Sequence, residues 1–200
     1  MSIRLNKNYK EKAKATDHIQ YGSKEDVPFS HLFRFFHQAF PQAFDRGTFQ
    51  RVFDASDVSR TAYCFHCCCR IKIYGALLAT STFDSDQNRQ LKILMLVEEE
   101  RSSSSLNIGK RLLSQLIETS KELENIQLIY AYVELTNVDG IQFYKTMGFQ
   151  QREILHDYFP MRTSLTPDAI KLEFRIRRSS QEHFSSALLS PISMMKFTVI

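Results

Sequence analysis

Between Leu91 and Gly148 the apolar residues of the chain change their period three times, and this alternation restricts the fold more than any other feature. Residues 91–97 are an apolar run of strand length. Ile108, Leu112, Leu113, Leu116 and Ile117 then lie on one stripe, with Arg111, Gln115, Glu118 and Lys121 off it, which predicts a helix beginning near Leu106. A strand pattern returns at 126–135. A second helix at about 138–147 closes at Gly148, a helix-terminating residue type.

The flanking segments complete the pattern. Asp26 and Pro28 are helix start signals, and Phe29, Leu32, Phe33, Phe36 and Phe40 recur at helical spacing until Pro41 stops them. Phe49, Val52 and Phe53 mark a second short helix. Strand-like segments at 61–68 and 71–83, the polar turn 84–88 and the run 91–97 predict an antiparallel meander. Phe149–Leu155 is a further strand. Ile170, Leu172, Phe174 and Ile176 alternate with Lys171, Glu173, Arg175 and Arg177, which predicts a last strand with one wet face. Two helices, a meander, and then strand, helix, strand, helix, strand and strand imply a mixed α/β (α+β) domain, its mostly antiparallel sheet flanked by helices.

With 200 residues, 43% of them hydrophobic and 24% charged, the chain has the size and composition of one globular domain with modest tails. Its net charge of +4 owes much to Arg4, Lys7, Lys10, Lys12 and Lys14, so residues 1–18 are expected to be a disordered basic arm. Residues 19–178 form the domain, and 179–200 are a Ser-rich tail. No basic face calls for a specific nucleic acid, and no apolar run is long enough for a membrane span or a signal peptide. A cytoplasmic, and also nuclear, location is expected. The four cysteines are confined to Cys64–Cys69. Consecutive strand residues point to opposite faces, so Cys67, Cys68 and Cys69 do not converge on one tetrahedral zinc, and no metal is expected.

The junction from the 91–97 strand into the following helix is a candidate anion site, because unpaired N–H groups and the positive end of the helix dipole gather there, and Gly109 permits close approach. Further on, Asn137-Val138-Asp139-Gly140-Ile141-Gln142-Phe143-Tyr144-Lys145-Thr146-Met147-Gly148-Phe149 resembles the pattern Asn-x-x-Ala-x-x-Phe-Tyr-x-x-x-Gly-Phe of the GNAT acetyltransferases, with Gly140 in place of alanine. Ser104-Ser105-Leu106-Asn107-Ile108-Gly109 falls where that family carries Arg/Gln-x-x-Gly-x-Gly. Gly109 matches the last glycine, Asn107 replaces the first, and Ser104 replaces the basic or amide residue. Within the family the likeness is to protein N-alpha-acetyltransferases of the NatE type. Phe40-Pro41-Gln42-Ala43-Phe44 is similar to their Phe-Pro-Val-Ser-Tyr, Ile129-Tyr130-Ala131-Tyr132-Val133 to Ile-Tyr-Leu-His-Val, and Asp157-Tyr158-Phe159 to Asn-Tyr-Tyr. It extends over about 19–174, with an insertion around Cys64–Arg70.

The resemblance implies a GNAT fold, acetyl-CoA as acetyl donor, and protein N-termini, methionine-starting ones above all, as acceptors. It also implies the NatA complex and the ribosome as partners. Carried over residue by residue, the cofactor falls to Leu96, Val97, Ser104, Ser105, Leu106, Asn107, Ile108, Gly109, Lys110, Asn137, Phe143 and Tyr144. An apolar pocket for the first side chain falls to Phe40, Pro41, Phe44, Leu94, Tyr158 and Phe159. The family's catalytic tyrosine falls at Lys92 and its catalytic histidine at Tyr132, so both acid–base positions have changed type, and Phe44 lacks a hydroxyl. Tyr132 is then expected to order a water that takes the amine proton, Tyr144 to donate to the departing sulfur, and the N–H of Leu96 or Val97 to polarise the acetyl carbonyl. Plainer roles stay open from sequence: Lys92 and Tyr132 as strand-face residues, and Tyr144 and the pocket aromatics as core. A catalytically impaired domain serving as a coenzyme A-binding or scaffold subunit of an acetyltransferase complex is the alternative function.

Overall fold

The computed structural model describes residues 19–41, 45–66, 70–99, 107–123, 125–159 and 166–176. In chain order these form β1 (Gln20–Gly22), a short 3-10 turn (Lys24–Asp26), α1 (Phe29–Ala39), α2 (Arg46–Ala55), β2 (Val58–His66), β3 (Arg70–Phe83), β4 (Arg89–Glu98), α3 (Ile108–Glu122), β5 (Ile126–Glu134), α4 (Val138–Thr146), β6 (Gln150–Leu155) and β7 (Ala169–Arg175). All seven strands join one sheet in the order β1-β2-β3-β4-β5-β7-β6. Every pairing is antiparallel except β4 with β5, whose parallel alignment follows from the crossover helix α3 between them. The expected mixed, mostly antiparallel sheet between helices is the one found. Among the described residues no helix is long and apolar enough to cross a membrane.

Each face of the sheet has its own core. The α3 stripe buries Ile108, Leu112, Leu113 and Leu116 completely against Leu77, Leu91, Ile126 and Ile129. This helix lies so close to β3 that a Cβ on Gly75 would come within 2.5 Å of Ile108 Cγ2, so glycine is required there. On the opposite face α1 and α2 supply Leu32, Phe36 and Phe49, packed on Tyr63, Ile73, Ala76, Leu78 and Met95. α1 stops where the pattern predicts, with Phe40 N–H bonded to Phe36 O and Pro41 next in line. α2 begins on Asp45, whose carboxylate accepts Thr48 N–H at 2.6 Å; that bond lowers its pKa from the ordinary value.

Two local departures in β4 make the site. Leu78 is opposite Met95 and Ala79 opposite Ile93, so Leu94 is an extra residue, a β-bulge. The bulge switches faces: Leu91 and Ile93 belong to the α3 core, whereas Met95 belongs to the α1–α2 core and Leu94 packs against it. Pairing of β4 with β5 ends at Ile93 opposite Ala131, although β4 runs on to Glu98 and β5 to Glu134. β3 keeps its hold on β4 as far as Glu98, and β7 keeps its hold on β5 as far as Glu134. Past the bulge, therefore, the sheet splits down its middle.

Three sequence expectations need correction. β1 and the 3-10 turn were not anticipated, since three residues are too few to show a period. α3 begins at Ile108 rather than near Leu106, because Asn107 adopts a left-handed conformation. The outer face of β7 is not simply wet: β7 lies between β5 and β6, and Glu173 is only 8% exposed, held by Arg152 Nε at 3.2 Å and Lys171 Nζ at 2.9 Å. The basic arm, the tail, Phe44, Ser104, Ser105, Leu106 and Cys67–Cys69 lie outside the described residues.

The 3-10 turn contributes a buried lysine. Lys24 Nζ donates to Phe53 O, Ser56 O and Ser56 Oγ, and stands 4.4 Å from the centre of the Phe53 ring. It therefore caps the carbonyl end of α2, where a cation is favoured. Replacing Lys24 by Met keeps the packed stem and strands those carbonyls, so the loss should be about 2 kcal/mol. In a chain of this size that lowers the melting temperature by roughly 4–8 °C, measurable by calorimetry.

Candidate active site

A cavity of about 640 Å³ occupies the split. Leu94, Met95, Leu96 and Glu98 of β4 line one side, and Tyr132, Val133 and Glu134 of β5 the other. Gly109 opens α3 onto it, Asn137, Asp139, Gly140, Phe143 and Tyr144 bring in α4, and Phe40, Thr48 and Phe159 stand at its other end. Its size and largely apolar lining with a few convergent polar groups suit a small-molecule site.

Ladder geometry separates the two backbone candidates. Glu99 N–H is bonded to Tyr74 O at 2.8 Å, and Gly75, Ala76 and Leu77 follow opposite Glu98, Val97 and Leu96. Bonding direction alternates along an antiparallel ladder, so Val97 N–H turns to β3 and is engaged there, while Leu96 N–H turns toward β5. Since β5 has already diverged, the Leu96 amide faces the cavity. Of the two amides, only that of Leu96 is therefore directed into the split.

Asn107 has φ 48° and ψ 43°, the left-handed region that glycine adopts freely and asparagine tolerates. Ile108 is fully buried in the core, and Lys110 points to solvent. Gly109 N–H faces the cavity but is bonded to Glu98 Oε2 at 2.8 Å. These residues fit the pyrophosphate of a coenzyme A once that carboxylate turns aside. Asn137 caps α4, its Oδ1 accepting Gly140 N–H at 2.8 Å, and Phe143 and Tyr144 form the wall behind. Tyr144 is buried, with its ring against Phe143 and Phe149, and this burial raises the phenol well above its ordinary pKa. It is a packed residue that also forms part of the cavity wall.

On the other face, residues far apart in sequence converge. The Tyr132 and Tyr158 ring centres are 4.4 Å apart. Lys92 Nζ donates to Tyr158 Oη at 2.9 Å and stands 5.0 Å from the centre of the Tyr132 ring. Tyr132 has its pKa raised by burial, against the lowering charge of Lys171. Phe159, beside Tyr158, has its N–H on Pro167 O at 2.8 Å, and Phe40 is 40% exposed at the mouth and so is not a core aromatic. Pro41 is exposed at the surface after α1, and it does not line the cavity. The turn carrying Tyr158 is braced by Asp168, which accepts Asp157 N–H at 3.2 Å and contacts His156 Nδ1 at 3.1 Å.

Sequence reasoning missed Glu98 and Asp168. The signal for the first was the Glu98-Glu99-Glu100 run just ahead of an anion loop; for the second there was none beyond its place before the last strand.

A bulged strand, a split sheet and a helix opening onto the split define a domain of GNAT architecture. Residues 44–163 match the family described as an acetyltransferase (GNAT) domain, and the chain belongs to that family. The acetyl-CoA expected from the sequence goes with this membership. The fold is similar to that of Arabidopsis thaliana Naa50 in complex with the bisubstrate analogue CoA-Ac-MVNAL, at 18% identity and TM-score 0.61 over 78% of this chain and 98% of that one. It is also similar to Arabidopsis thaliana NAA60 in complex with acetyl-CoA, at 21% and 0.63 over 79% and 98%. A chain of the NatC complex bound to Gag peptide and CoA gives 16% and 0.65 over 80% and 99%. Identities this low carry the fold alone. No curated protein matches the sequence.

Glu98 generates a pair of opposed expectations. Glu98→Ala frees Gly109 N–H and removes a negative charge from the phosphate position, so coenzyme A should bind about 3- to 10-fold more tightly by calorimetric titration. The same change removes an anion from a helix N-terminus, and stability without ligand should fall by about 0.5–1 kcal/mol. Weaker coenzyme A binding by the variant would contradict the assignment.

Proposed function

We propose that the protein transfers the acetyl group of acetyl-CoA to the α-amine of protein or peptide N-termini, methionine-starting ones first. The observation that carries this reading is a single cavity through the sheet, with Gly109, Asn137 and Tyr144 at one end and Phe40, Tyr132 and Phe159 at the other. Such a cavity admits a donor from one face and an acceptor from the other. The similar structures support it: the analogue held by Naa50 joins coenzyme A to a peptide that begins with Met, and the NatC complex holds both a peptide and CoA.

Acetyl-CoA supplies an acetyl group activated as a thioester. Leu96 N–H donates to the carbonyl oxygen on which negative charge develops. Phe40, Leu94 and Phe159 take an apolar first side chain. Tyr144, kept a phenol by its burial, donates a hydrogen bond to the sulfur as the bond to it breaks, and the thiolate takes its proton from the water that received the one lost by the amine. Tyr132, its pKa likewise raised, stays a phenol at neutral pH and orders the water that receives the amine proton, rather than taking it directly. A missing side-chain base is tolerable because an α-amine has a pKa near 8, so roughly a tenth is neutral at pH 7. Lys92 is assigned no proton in this scheme.

The Glu98 contact with Gly109 favours a second reading, a coenzyme A-binding scaffold without turnover. Transfer assays with methionine-starting peptides, the product located by mass spectrometry, separate the two. The α-amine should be acetylated and an internal lysine left free; coenzyme A binding without any transfer would establish the scaffold. Tyr144→Phe should lower kcat about 100-fold with cofactor affinity unchanged, the scale of one lost hydrogen-bond donor, and full activity in that variant would remove Tyr144 from the mechanism. The rate should also rise about tenfold per pH unit up to roughly 7 and level off above about 8 as the substrate amine loses its proton. With Tyr132 and Tyr144 both raised above the usual phenol value, no falling limb is expected below pH 10.

A further inference from the structure

Lys92 is a cation beside Tyr132, a residue of the cavity wall, and no carboxylate of the described residues balances it. Its ammonium donates to the Tyr158 hydroxyl and faces the rings of Tyr132 and Tyr158, at 5.0 and 5.7 Å from their centres. Among the described residues it forms no ion pair. The neighbouring cation is handled differently: Lys171, across β5, is paired with Glu173 at 2.9 Å and Glu153 at 3.5 Å. Among the described residues, one lysine of this face is thus neutralised by two carboxylates and the other is left to one phenol oxygen and two ring faces, which hold an ammonium without cancelling its charge.

Tyr132 lines the cavity, so this charge lies one side chain away from the acceptor. The first residue of a substrate meets Phe40, Leu94 and Phe159, which are apolar. The next residue is the first whose side chain can reach beyond them. We propose that Lys92 is a specificity residue that selects substrates with an acidic second residue, so that Met-Asp and Met-Glu termini are preferred to Met-Leu, and Met-Lys is rejected. This rests on the N-terminal reading given above and sharpens it. An aspartate carboxylate would take the place beside Lys92 that no carboxylate of the described residues occupies, forming a partly shielded ion pair. A lysine in the same position would put two cations together.

The test uses the full chain and three conjugates of coenzyme A joined through an acetyl group to the peptides Met-Asp, Met-Leu and Met-Lys, each titrated calorimetrically beside free coenzyme A. Binding of such conjugates does not depend on turnover. The Met-Asp conjugate should bind about 10-fold more tightly than Met-Lys, with Met-Leu between them, and Lys92→Glu should reverse that order while free coenzyme A binds as before. Lys92→Gln, which keeps a polar group beside Tyr158, should bring the three within about twofold of one another and serves if the charge reversal fails to fold. An order unchanged by either substitution, or no discrimination by the parent protein, overturns the proposal and leaves the N-terminal reading standing wherever conjugates bind more tightly than free coenzyme A. Conjugates that gain nothing over free coenzyme A overturn both.

Discussion

The function of this fold depends on two parallel strands that stop pairing halfway along. β4 and β5 are joined as far as Ile93 and Ala131 and then part, each kept extended by the strand on its outer side. Buried backbone N–H and C=O groups without partners are costly, so a split in the middle of a sheet is stable only where something polar enters it. The Leu94 bulge makes the parting possible by turning β4 out of phase with its former neighbour, and it also divides the apolar residues of β4 between two cores. One inserted residue therefore sets where the cavity begins, which amide faces it, and which helices wall it on either side.

Charge within the cavity is arranged against easy occupation. Glu98 holds the amide at the head of α3 that a phosphate would use, and it replaces an incoming anion with one belonging to the chain. Tyr144 and Tyr132 are kept as phenols by burial, so neither is a base near neutral pH. Lys92 places a positive charge beside the rings of Tyr132 and Tyr158. On the proposed reading these features shift the chemistry from a side-chain base to positioning, with proton transfer left to the substrate amine and water. Positioning alone is a large share of such a barrier, because holding amine and thioester in contact removes the entropic cost of their encounter.

The sequence showed the elements more clearly than their arrangement. The α3 stripe of Ile108, Leu112, Leu113 and Leu116 and the aromatic spacing of α1 were readable because amphipathic periods follow directly from burial. The place of β7 between β5 and β6 was not, since strand order depends on pairings between distant segments. That order is why Glu173, read as a wet-face residue, is buried. At the site, Lys92, Tyr132 and Tyr158 could be selected only by resemblance, because nothing local in each strand or turn distinguishes them. Their convergence within hydrogen-bonding and ring-contact distance belongs to the tertiary structure. Asn107 stands where the resembled pattern has glycine, and its left-handed backbone, which glycine adopts freely, was not legible from the residue type alone. The Glu98 contact requires the chain to turn between β4 and α3, and no periodicity announces it.

A crystal structure of the protein with acetyl-CoA tests the central claim most directly. The account predicts the acetyl group between β4 and β5, its carbonyl oxygen about 2.7–3.2 Å from Leu96 N, with Glu98 turned off Gly109 and a phosphate oxygen in its place. An acetyl group outside the split, or a carbonyl oxygen bonded elsewhere while Glu98 keeps its contact with Gly109, would contradict it.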